Sequence, residues 1–454
     1  MIYAKGIIKS IKGMGEGFLL TYRSIKRGDP NIMVFIIYGL FFDVYMNLHR
    51  PFAVKFLTRL GGGEFHISLL NSLPGIIAVF AIIPGSLFIN RFKRKKGVIS
   101  VFFAISRVFV IALALVPFLP AGVRPILFVI LLALMNFPDA ISQTGLQGFL
   151  GDVFDGFTRS RAITLRNKMA QIVAPAVAIV TGLIITFVPR GDAFQINTQA
   201  ILIYQIFFIA AFGFAILELR TFRRFKESKD EPGGEIPEAA IPKTRIRDGL
   251  RAIPETFKDR RFVGFMIPTI FFYFMFQSAW PLFGILQVID LGANEFHMSI
   301  NVAVSGLFGF LGAGFWSRLI QKKGNDFALF AAAAGLAASV WTTATSPNIW
   351  IYIAWQIFGG FIGIGIAITL LNGLLAATPE KNRVLYISVY NTFVNISLGL
   401  SPFFAYAIHN ALSARFPGGA AGTRLSMGVI GIGRALAAAV LFVIYLRNKK
   451  RKDL

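Results

Sequence analysis

Twelve apolar stretches follow one another along the chain, each close to the roughly 20 residues a helix needs to cross the hydrocarbon core of a bilayer. They lie near 31–57, 67–89, 98–119, 125–149, 168–188 and 198–218, then 262–288, 298–317, 326–345, 348–376, 384–410 and 425–446. Backbone polar groups find no water at that depth, so a spanning segment must close its hydrogen bonds within itself, and runs of this length do so as helices. Only 15% of the 454 residues are charged, against about 25% in soluble proteins. The chain therefore reads as an all-α integral membrane protein of twelve transmembrane helices, with no large water-soluble domain.

Basic residues set the expected orientation, because short cytoplasmic loops retain Lys and Arg. One set of alternate loops, with the two tails, holds 37 of them; the opposite loops hold five, Arg59, Arg124, Arg190, Arg415 and Arg424. This split predicts both termini on the cytoplasmic side of the plasma membrane and an even number of spans. Residues 1–30 are expected to be a cytoplasmic amphipathic segment with no removable signal peptide, and 447–454 a basic cytoplasmic tail. The longest hydrophilic connection, 220–261, contains the Pro, Gly and Glu-rich piece from Asp230 to Pro242 and reads as a cytoplasmic joint between a bundle over 31–219 and another over 262–446. The net charge of +24 is dispersed between apolar runs, so no nucleic-acid partner is expected. Cysteine is absent and the four histidines are scattered. Neither a metal site nor a cofactor is expected, and the lack of a phosphate-binding Gly-Lys loop argues against ATP drive.

The two halves share an internal repeat. Leu60 to Ser68, LGGGEFHIS, matches Leu291 to Ser299, LGANEFHMS, at an offset of 231 residues that Gly75 and Gly306 keep. Arg91, Lys95, Lys96 and Gly97 recur as Arg318, Lys322, Lys323 and Gly324, and Arg159 with Asn167 recurs as Arg383 with Asn391. These offsets, near half the chain length, predict two parallel-duplicated six-helix bundles, a transporter architecture. The loop from Ser86 to Lys96, SLFINRFKRKK, resembles the signature loop of the major facilitator superfamily. Ser86 stands where that signature has its first Gly, Asn90 where it has Asp, and Lys93 where it has a second Gly. Arg91, Lys95, Arg318 and Lys322 are the candidate gating residues at the cytoplasmic helix ends, the arginines foremost because a planar fork can bridge two ends.

A charge inside a span costs a few kcal/mol and calls for a partner or a water-filled space. Asp43, Asn47 and Arg50 share one face of span one, and Asn136, Asp139, Gln143 and Gln147 one face of span four. By helical rise both carboxylates lie about 16–18 Å from the inner helix ends. The resemblance implies that the first and fourth helices of each half line a central cavity, which would place these faces against a substrate. Asp43 or Asp139 is then a proton-coupling carboxylate, and Arg50 a partner to it or a receptor for an anionic group. The alternative is structural ion pairing, Asp43 with Arg50 or Asp139 with Arg107. The second half offers Tyr273, Gln277 and Trp280 on span seven and Trp355 and Gln356 on span ten. Arg107 and Arg434 are expected outside the cavity.

The resemblance implies secondary active transport of a small organic solute by alternating access, coupled to a proton or another ion, by a monomer in contact with membrane lipid. A lipid flippase on the same fold is the alternative. An enzyme is not expected, because no cluster of acids, His or nucleophiles gathers at one interface.

Overall fold

The computed structural model describes residues 30–89, 92, 95–154, 156–188, 198–226, 253–379 and 383–450. They form twelve long helices, with no strand among the described residues. In chain order these are α1 Pro30–Arg59, α2 Glu64–Ile89, α3 Lys95–Leu115, α4 Arg124–Val153, α5 Gly156–Phe187 and α6 Thr198–Phe222, then α7 Arg260–Asp290, α8 Glu295–Lys323, α9 Asn325–Ala344, α10 Ile349–Ala377, α11 Arg383–Arg415 and α12 Ala421–Lys450. Eleven of them are long and apolar enough to cross a membrane; α11, at 33 residues, has the length but carries Asn391, Asn395 and several hydroxyls. The expected spans fit this set with one clear correction. The fifth helix begins at Gly156, not near 168, because the polar and basic stretch from Thr158 to Asn167 continues the helix beyond its apolar part. The expected amphipathic segment over 1–29, most of the central joint (227–252) and Arg91 lie outside the described residues.

Two helices depart from straight geometry. In α1 a 3-10 turn, Arg50–Phe52, interrupts the α-helix where Pro51 lacks an amide donor. In α7 the last turn, Ile285–Asp290, widens to π geometry just after Pro281.

Packing follows the repeat. In the first half α2 and α3 pack on α4, α1 on α5 and α6, and α3 on α6; in the second half α8 and α9 pack on α10, α7 on α11 and α12, and α9 on α12. The halves meet through two equivalent crossings, α2 with α11 and α5 with α8. Gly75 faces Gly399 at the first, and its repeat counterpart Gly306 faces Pro175 at the second. A Cβ on Gly75 would stand 2.7 Å from the Gly399 amide nitrogen and 2.9 Å from the Asn395 carbonyl. Gly75→Val is therefore expected to lower stability by about 1–3 kcal/mol. Gly213→Ala, on α6 where nothing lies within 4 Å of the added methyl, should change little, and thermal unfolding of both variants in detergent checks the contrast.

The ends of the molecule are unlike. At the face opposite the termini, here the distal face, one apolar cluster joins Leu48, Phe52 and Phe56 of α1 and Ile67 of α2 to Leu282 and Leu286 of α7, Met298 of α8 and Ala405 of α11. Toward the terminal face the clusters stay within one half: Phe35, Phe103, Phe149 and Phe222 in the first, Phe262, Met266, Leu374 and Tyr390 in the second. Side-chain hydrogen bonds join the halves in the distal part and at mid-depth. The buried Glu295 accepts from Arg59 at 2.6 and 3.0 Å and from the Tyr204 hydroxyl at 2.9 Å. His409 bonds Glu64 at 2.9 Å, Thr186 accepts from the Phe296 amide, and Ser72 donates to the Gly399 carbonyl. Glu64 and Glu295 are the same position of the repeat, so each copy of the motif sends its carboxylate into the other half. The repeat histidines act locally instead, since His66 and His297 accept from the amides of Gly63 and Asn294 and cap their own helices.

Candidate functional site

Five charged groups inside the first half converge on one cluster drawn from five helices. Arg107 of α3 grips Glu218 of α6 with two bonds of 2.9 and 3.0 Å and reaches Asp139 of α4 at 2.9 Å. Its guanidinium lies over the Tyr45 ring at 4.4 Å. Arg166 of α5 bonds Asp43 of α1 at 2.8 Å. The Phe42 ring sits between the two cations, 5.9 Å from the Arg107 guanidinium and 5.5 Å from that of Arg166, so the two pairs form one assembly. Gly39 leaves room for Arg166, whose Cγ would be 2.7 Å from a Cβ there.

The assembly settles the two pairings left open by sequence. Asp139 with Arg107 is formed; Asp43 with Arg50 is not, and Arg166, which reads as a loop charge, takes Asp43 instead. Glu218, buried on α6, was not among the expected residues. Sequence offered one weak signal for it, an acid at the end of an otherwise apolar run. Asp139 and Arg166 keep 20% and 21% of their side chains exposed. A charge left exposed at membrane depth is tolerable only against water, which must therefore reach this side of the cluster. One oxygen of Asp43, Oδ2, is buried without a hydrogen-bond partner.

Arg50 stands apart from the cluster, in the 3-10 turn of α1 that packs on α8 of the other half. It reaches Asn136 at 3.4 Å, and its Nε is buried without a partner. Asn47 turns back to the Asp43 carbonyl, and Asn136 donates to Leu132 in its own helix. Gln143 and Gln356 are half-buried; Gln277 is buried with its Oε1 unpartnered, and Trp280 is exposed against the Phe276 ring. Arg434 is fully buried and donates to the carbonyls of Met275, Phe276 and Leu336. Of the candidate gating residues, Lys95 opens α3, and Arg318 and Lys322 are exposed toward the terminal end of α8.

Two related six-helix bundles, joined by two equivalent crossings and enclosing charged groups at mid-depth, define a polytopic membrane transporter. The family model for the Major Facilitator Superfamily matches residues 32–402 and 265–454, and the chain belongs to that superfamily. A search of curated proteins finds no match. Among solved structures it is similar to a bacterial homolog of the human lysosomal transporter Spinster, in an inward-facing and unoccupied conformation (13% identity, 92% of this chain and 98% of that one, TM-score 0.65). It is also similar to the nucleoside transporter NupG (12%, 90% and 98%, 0.65) and to a D-xylose–proton symporter (15%, 90% and 96%, 0.59). At these identities the likeness is one of fold.

Proposed function

We propose that the protein is a proton-coupled secondary transporter that carries a small organic solute across the plasma membrane by alternating access, its two bundles rocking about a mid-depth site. The observation that carries this reading is the one-sided closure: the halves bond and pack together in the distal part and at mid-depth, while the terminal-side clusters stay within each half. With the termini in the cytoplasm, as the charge split suggests, this is the inward-open state of a monomeric carrier bathed in lipid. The Gly75 and Gly306 crossings supply the smooth surfaces along which the bundles turn.

Proton coupling rests on charge balance. The cluster sets three carboxylates, Asp43, Asp139 and Glu218, against two guanidinium groups, Arg107 and Arg166. An unpaired buried charge costs several kcal/mol, and a proton cancels the surplus at the least structural expense. The unpartnered Asp43 Oδ2 offers it an acceptor. In proteoliposomes carrying a lumenal pH dye and offered a panel of small metabolites, at least one solute should move protons with it. Glu218→Gln and Asp43→Asn are each expected to lower that signal tenfold or more. Solute entry without proton movement would sink the coupling, and no solute entry through correctly folded protein would sink the transport reading.

A further inference from the structure

The first half holds a cation that the cluster does not use. Among the described residues every other arginine at depth has its charge met or its donors filled: Arg107 by Glu218 and Asp139, Arg166 by Asp43, Arg59 by Glu295, and Arg434 by three backbone carbonyls. Arg50 has one long bond to a neutral amide, an unpartnered buried Nε, and no carboxylate within ion-pair distance among the described residues. Such a group is costly to keep unless something occupies it for part of the cycle. It is placed for that. The helix breaks at Arg50, the turn touches α8 across the boundary between the bundles, and its half-buried side chain must meet water for the reason that applies to Asp139.

We propose that Arg50 is the receptor for the anionic group of the transported solute, and that the substrate class is small monocarboxylates carried together with the proton of the carboxylate cluster. This deepens the transport reading and rests on it. Two features select a monovalent carboxylate. A guanidinium fork matches a carboxylate in two parallel bonds. The second copy of the repeat supplies no companion cation, since Pro281 stands at the position matching Arg50 by the 231-residue offset, and a phosphate dianion would be left half compensated.

Charge bookkeeping links the site to the proton. The charged groups at mid-depth in this half are Asp43 and Arg50 on α1, Arg107 on α3, Asp139 on α4, Arg166 on α5 and Glu218 on α6, with Tyr38, Tyr45 and His49 of α1 beside them; Lys55 and Arg59, nearer the distal face, answer Glu295 of the other half. With the cluster ionised and Arg50 empty, three negative charges face three positive ones. A carboxylate seated on Arg50 cancels one positive charge and leaves the surplus negative charge exposed, which draws in one proton. Anion and proton then cross as a neutral pair.

The absence of cysteine makes the test clean. A single thiol introduced by Asn47→Cys, one turn from Arg50, is labelled with methanethiosulfonates of equal size and opposite charge. The anionic reagent is expected to gain about tenfold over the cationic one relative to an Arg50→Gln background, and Arg50→Lys should restore most of the gain. Lactate, but not lactamide, should slow the labelling. An unchanged ratio in Arg50→Gln overturns the anion site, and no slowing by lactate, acetate or benzoate overturns the monocarboxylate assignment. A thiol inert to both reagents denies water to the space between the bundles, and it is then the transport reading that fails.

Discussion

Arg107→Leu is expected to cost about 3–5 kcal/mol of folding stability, the range for removing one partner of a buried ionic network. The guanidinium is almost wholly enclosed, at 4% exposure, and serves Glu218 in two bonds and Asp139 in a third. Its loss leaves Glu218, 2% exposed, among Phe and Tyr side chains with no cation in reach. The same reasoning fixes the sign of the double variant. Arg107→Leu with Glu218→Leu removes both enclosed charges, keeps the Asp43–Arg166 pair, leaves only the part-exposed Asp139 without its cation, and should regain much of the lost stability. A double-mutant cycle by thermal unfolding in detergent reads the coupling. If the double variant is as unstable as the sum of the single ones, the cluster is a set of independent contacts and the charge-balance argument for the proton loses its ground.

The helices were legible because apolar length alone specifies a spanning helix, and the two-bundle plan because repeat offsets near half the chain survive at the helix starts and loops. The partners of the charges were less legible, for reasons of depth. Asp43 and Arg50 share a face, but seven residues of helix separate them by about 10 Å, too far for an ion pair, and the true partner lay in a stretch that reads as cytoplasmic loop. Arg166 enters the membrane because α5 continues back to Gly156; hydropathy cannot see a charged residue carried inward by a helix whose polar face is covered. Glu64 and Glu295 stand within the repeat yet give no sign of their reach, since an acid at a helix start is an ordinary companion of the helix dipole. Only the packing of one bundle against the other discloses that both cross the boundary.

That crossing predicts the second large effect. Glu295 has no exposed surface and holds Arg59 and Tyr204 of the opposite half in three bonds, so it stabilises the distal-closed state specifically. When the bundles part at that face the carboxylate meets water and the bonds are no longer needed. Truncating one member of a buried, hydrogen-bonded charge pair costs about 2–5 kcal/mol, and nearly all of that falls on the closed state. Glu295→Ala should therefore shift the balance toward the distal-open state, by roughly a hundredfold for a loss near 3 kcal/mol. Spin labels introduced by Gly63→Cys and Thr345→Cys, exposed distal positions on opposite halves, would report the change by pulsed electron resonance as a longer distance. His409→Ala supplies the comparison. It breaks the equivalent bond from Glu64, whose carboxylate keeps 41% exposure, and an ion pair of that kind contributes at most about 1 kcal/mol. The two copies of one motif are thus expected to differ widely in their hold on the distal face. Equal distance distributions in wild type and Glu295→Ala would mean that apolar packing of Phe52, Phe56, Leu282 and Leu286 alone keeps it shut.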